Sequence, residues 1–65
     1  MLRYSVRAYL CTNFSKLMNS FGTDDYEEVK DFVWANARLG YNCVITNNYT
    51  GARKQILADV LLKQV

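Results

Sequence analysis

The sequence predicts an α+β fold: a small antiparallel or mixed sheet with a ββαβ core, one central helix packed on it, and a C-terminal helix or fourth strand. Three patterns carry that prediction. Leu2 to Leu10 alternates apolar and polar residues with period two; Asp24 to Gly40 carries a helical apolar stripe with signals at both ends; and "YNCVITNN" is a short run rich in Tyr, Val, Ile and Thr ahead of a turn cluster. A chain of 65 residues makes one domain, 1–65, and buries only about 60% of the surface its unfolded form exposes. Nearly every large apolar side chain is therefore needed in the core, or burial is completed by self-association. A hydrophobic content of 51% with 14% aromatic residues excludes a disordered chain.

In the first run Leu2, Tyr4, Val6, Ala8 and Leu10 share one face, and Arg3, Ser5, Arg7 and Tyr9 share the other, as in a half-buried strand. "CTN" supplies a turn, and Phe14 to Phe21 reads as the returning strand. Its alternation is poor: Leu17 and Phe21 share a face with Asn19 while Met18 points opposite. A bulge or an edge position accounts for that.

Gly22 and Thr23 end the strand, and a helix follows. Asp24 and Glu27 have the spacing of a capping box, with Thr23 as the alternative cap. The acids of the first turn and Arg38 in the last complement the helix dipole, and Gly40 stands where a left-handed residue ends a helix. Val29, Phe32, Val33, Ala37 and Tyr26, with Leu39 at the rim, form the core arc. Asn36 is a polar residue inside that arc. Either it hydrogen-bonds a sheet or loop backbone group, or the helix is slightly rotated.

Asn47 to Gly51 form a turn in which Gly51 takes a positive φ. In the last segment Ile56, Leu57, Val60 and Leu61 make a helical stripe, whereas Ile56, Ala58, Val60 and Leu62 would make one face of a strand. Ala, Gln, Lys and Leu propensities favour the helix; Arg53 and Lys54 at the positive end of its dipole oppose it.

The net charge of +2 conceals a segregation. Residues 24–31 hold Asp24, Asp25, Glu27, Glu28 and Asp31 against Lys30, a local charge of −4. The rest of the chain holds Arg3, Arg7, Lys16, Arg38, Arg53, Lys54 and Lys63 against Asp59, a charge of +6. With no histidine and two distant cysteines, Cys11 and Cys43, a metal site and a cofactor are not expected, and the thiols are expected to be free. No apolar span or signal-peptide pattern opens the chain, which predicts a cytoplasmic protein that does not enter a membrane.

No residue pattern points to catalysis. The clustered carboxylates are explained by capping and the helix dipole, and Ser5, Ser15 and Ser20 have no histidine to activate them. An enzyme is not expected. Trp34 is the exception to the helix pattern, because it falls in the sector of Glu27, Asp31 and Arg38 rather than in the core arc. Either it is tucked under a loop or the C-terminal segment, or it anchors a protein partner with Glu27, Asp31 and Arg38 as its rim. A second candidate surface takes nucleic acid: Arg3, Arg7, Tyr9 and Lys16 on strands, with Tyr49, Arg53 and Lys54 at a loop.

With its strand–strand–helix–strand order and the acidic "DDYEEVKDFVW" helix carrying an aromatic, the chain resembles the very small inhibitors encoded by phages and mobile elements. These include anti-CRISPR proteins and inhibitors of host RNA polymerase. The resemblance implies a non-catalytic module that blocks a larger, nucleic-acid-handling protein or ribonucleoprotein complex by occlusion in the host cytoplasm. A small nucleic-acid-binding protein is the alternative, and a homodimer is compatible with either.

Overall fold

A computed structural model describes residues 2–10 and 13–63, with side chains described for 2–10 and 16–63. Four strands and two helices follow in the order β1 (Tyr4–Leu10), β2 (Asn13–Thr23), α1 (Tyr26–Arg38), β3 (Tyr41–Asn47), β4 (Arg53–Ile56) and α2 (Ala58–Lys63). The C-terminal segment that admitted a helix or a strand is both in succession. The strands form one sheet in the order β2-β1-β3-β4, antiparallel at every pairing. The shortest extent, 17 Å, is that of one sheet under one layer of helix.

The alternation of β1 is realised as read, with Val6 and Ala8 fully buried and Arg7 exposed. Across β1, Val6 faces Phe21 on one side and Ile45 on the other, and Ala8 faces Asn19 and Cys43. That face meets Val29 and Val33 of α1 in a core completed by Cys43 and Ile45, with Tyr4, Phe32, Tyr41, Ile56 and Leu61 packed around it. Phe21 stacks on Phe32 at 5.2 Å between ring centroids. Leu2, expected on the core face, lies before the strand and stays 47% exposed.

The irregularity of β2 is that of an edge strand with two register shifts, one between Ala8 and Tyr9 and one between Tyr9 and Leu10. Ala8 pairs with Asn19 but Tyr9 pairs with Leu17, so Met18 is the extra residue. The first shift places Leu17 opposite Tyr9, away from the face of Asn19 and Phe21 on which plain alternation would put it. The turn read at Cys11 and Thr12 lies outside the described residues, as does the side chain of Cys11.

Helix α1 is capped by Asp25, not by Asp24 or Thr23: the Asp25 carboxylate accepts from Glu27 N at 2.9 Å. Thr23 supports the cap from behind, accepting from Asp25 N at 3.0 Å and donating its hydroxyl to Glu28 at 2.7 Å. Asp24 is drawn elsewhere, accepting from Arg3 N at 2.7 Å. At the other end Gly40, with φ of 85°, donates to Ala37 O at 2.9 Å and terminates the helix as expected.

The buried face of α1 is Val29, Val33, Asn36 and Ala37. Tyr26, placed in the core arc by periodicity, is 44% exposed because the helix begins there, and it meets Tyr4 edge-on at 5.4 Å. Leu39 is 66% exposed past the last turn. Asn36 finds its partners on a neighbouring side chain and on its own helix, not on sheet or loop backbone. It donates to Phe32 O and accepts from Asn19 Nδ2, both at 2.8 Å.

The β3–β4 turn closes on Gly51, with φ of 78° and its N–H donated to Asn47 O at 2.7 Å. Asn48 ties the start of the chain to this turn, donating its N–H to Arg3 O at 2.7 Å and its side-chain amide to Leu2 O and Ser5 Oγ. Helix α2 lacks a capping side chain of its own at Leu57. Its first N–H, on Ala58, is instead accepted by the side chain of buried Asn42 in β3 at 2.8 Å. A strand thus caps a helix 16 residues away.

Candidate functional site

The register defines two surfaces. Both helices lie on the face of Val6, Ala8, Cys43 and Ile45, so that among the described residues the opposite face of the sheet has no helical cover. Pairing places Ser5, Arg7 and Tyr9 on that face beside Gly22, Ser20 and Leu17 of β2, with Thr46 and Val44 of β3 and then Arg53 and Gln55 of β4. Arg7, Tyr9, Val44, Thr46 and Arg53 line one depression of about 160 Å³. Ser5, Arg7, Ser20 and Gly22 border a second of about 300 Å³.

An antiparallel sheet commonly leaves one face to water, and such a face is then polar. What distinguishes this one is the sign of its charge. The four strands carry Arg7, Lys16, Arg53 and Lys54 and no acidic residue, and all six acids belong to the helices or the turn before α1. The charge segregation of the sequence becomes a segregation between layers.

The candidate nucleic-acid residues are only partly brought together. Arg7, Tyr9 and Arg53 share the open face. Arg3 lies at its rim, its guanidinium 5.3 Å from the ring centre of Tyr49, so the loop tyrosine and the N-terminal arginine form one unit. Lys16 is exposed on the edge strand β2. Lys54 pairs with Ile45 and therefore projects toward the helical side, away from Arg53. Thr46, Val44 and Ser20 were not singled out by sequence. Only strand pairing sets Val44 and Thr46 between Arg7 and Arg53, and Ser20 on the other side of Arg7, and no local signal announces it.

The second surface surrounds Trp34. The indole is half-buried. It lines an apolar cavity of about 170 Å³ with Tyr26, Lys30, Val33, Ile45, Ile56 and Leu61, and the last of these belongs to α2. The C-terminal segment thus folds back to border the same cavity as the tryptophan. Arg38 remains beside it, 6.0 Å from the ring centre, close enough for a weak cation–π attraction. Glu27 is exposed and paired with Lys30 at 3.0 Å, and Asp31 is exposed. Of the three residues grouped with Trp34 from the sequence, Arg38 is the one that lies over the indole.

Cys43 is a free thiol buried in the core, and burial pushes its pKa up to about 11. At neutral pH it is protonated and enclosed, which is the condition of a packing residue. Among the described residues no group of three or more His, Cys, Asp or Glu side chains is placed to hold a metal ion. No described helix is long and apolar enough to cross a membrane. Comparison with protein families, with curated proteins and with solved structures returns no match to this chain.

Proposed function

We propose that this chain is a non-catalytic binding module that holds single-stranded nucleic acid on the open face of its sheet. One observation carries the reading: the uncovered face presents Arg7 and Arg53 with Tyr9, Thr46 and Ser20, while no strand carries an acid and all six acids lie in the helices or the turn before α1. Arginines contact phosphates, hydroxyls add hydrogen bonds to the backbone, and an aromatic side chain offers a stacking platform that any base can use. Four strands at about 4.8 Å spacing give a face roughly 14 Å across. Such a face is suited to a few nucleotides.

Fluorescence anisotropy with labelled oligo-dT, oligo-U and a duplex of equal length tests this. The single strands should bind more tightly, and affinity should fall steeply with salt. Replacing both Arg7 and Arg53 by alanine should lower the log–log salt slope by about 1.4, the value for two phosphate contacts on a single strand. No anisotropy change at the lowest salt, or equal binding of the duplex, would sink the reading.

A protein-directed inhibitor acting by occlusion in the cytoplasm is the second reading. It is supported by apolar surface on the C-terminal segment, where Leu57, Val60 and Leu62 are 40–48% exposed. Pull-down from a native host with wild type and Val60→Asp discriminates it: this reading requires a partner that the substitution releases.

A further inference from the structure

Strand β4 ends the sheet and pairs only with β3, so its outer edge meets no other strand among the described residues. Helix α2 does not run along that edge. It turns inward against α1 and β3, leaving a groove of about 300 Å³ lined by Lys54, Gln55, Ile56, Leu57, Val60 and Leu61. Ile56 and Leu61 also wall the cavity beside Trp34. The groove has an apolar floor, and the charged residue among those described in its lining is Lys54.

We propose that the β4 edge and this groove dock an extended acidic and apolar segment of another protein, added as a fifth strand. Backbone pairing to an edge supplies affinity in such docking, and alternate side chains supply specificity. Here the alternation is explicit. Lys54 and Ile56 point to the helical side and Arg53 and Gln55 to the open side, as their pairing with Ile45, Cys43, Thr46 and Val44 requires.

A segment lying alongside β4 therefore meets two adjacent cations, then a neutral residue, then Ile56 and the groove. Its own order is apolar–any–acid–acid if antiparallel, or acid–acid–any–apolar if parallel. Short, lysine-bearing edges normally deter strand addition. That deterrence is directed, because a cationic edge repels cationic strands and attracts acidic ones. A second copy of β4 would bring another Arg53 and Lys54 to the same edge, so charge disfavours self-pairing.

The test uses two labelled peptides of these two orders, and versions with lysine in place of the acids, against the full chain. One acidic peptide should bind saturably, with amide shifts concentrated in β4. Lys54→Glu should weaken it about fivefold and improve the lysine version. Val60→Asp, which places a carboxylate at an exposed groove position, should also weaken it. Circular dichroism of both variants confirms that the fold is kept. Arg7→Ala should leave peptide binding unchanged, so this inference and the nucleic-acid reading fail separately.

Several outcomes overturn the proposal: no saturable binding of either acidic peptide, equal binding of the lysine versions, or indifference to Lys54→Glu. So does a dimer of the free protein in sedimentation that Lys54→Glu alters, because the edge would then belong to a second copy.

Discussion

Asn19 Nδ2 donates to Asn36 Oδ1 at 2.8 Å, joining the edge strand β2 to the buried face of α1 across 17 residues. The Asn36 amide is also spent on Phe32 O, so a polar residue on a core face is satisfied on both sides. Asn36→Leu leaves the Asn19 amide to solvent and forces a larger apolar group against the sheet. A destabilisation of about 1–3 kcal/mol is expected in urea unfolding. A double-mutant cycle with Asn19→Ala should return a coupling of about 0.5 kcal/mol or more. Additivity would show that the two amides do not cooperate.

The cap of α1 distinguishes neighbouring aspartates. Asp25→Ala removes the acceptor for Glu27 N and should cost about 1 kcal/mol. Asp24→Ala should cost less, because it loses only an exposed bond to Arg3 N. Equal losses in denaturant midpoint at constant slope would contradict the assignment of the cap.

The hydrogen bond from Ala58 N to Asn42 holds the start of α2. Asn42→Ala should cost about 1–2 kcal/mol. It should also loosen α2 from the cavity that Leu61 and Trp34 share. Trp34 is the only tryptophan, so its emission reports this directly. A shift to longer wavelength and greater acrylamide quenching are expected under native conditions. Unchanged emission would mean that α2 is held without the cap.

Cys43 makes stability fall in alkali. Its folded-state pKa is raised from 9.0 to about 11 by burial. Below pH 9 the thiol is neutral in both states, and its packing contribution is intact. As pH rises from 9 toward 11 the unfolded chain ionises and the folded chain resists, so stability is lost over that window. Cys43→Ala should lack this component of the alkaline loss. In a Cys11→Ser background Cys43 should react with thiol reagents at pH 8 only as fast as the protein opens.

The strand β1, the helix between its cap and Gly40, and the turn at Gly51 were legible because each is a local pattern. Period two, period 3.6 and positive φ are decided by residues within a few positions of one another. The cap was misplaced by one residue for a long-range reason: Asp24 is taken by Arg3, across 21 positions. Trp34 was ambiguous because its surroundings depend on where α2 folds back, and nothing in residues 24–40 encodes that.

By itself, then, the sequence determined an α+β chain with a ββαβ core and this split of charge, and left the last segment open between helix and strand. The tertiary structure alone decided that Arg7 and Arg53 border one depression from either side of β3. It also decided that Asn42 caps a distant helix and that the tryptophan is half-buried. Strand pairing and helix docking join residues far apart in the chain, and the free energy of those contacts has no signature in any short window of sequence.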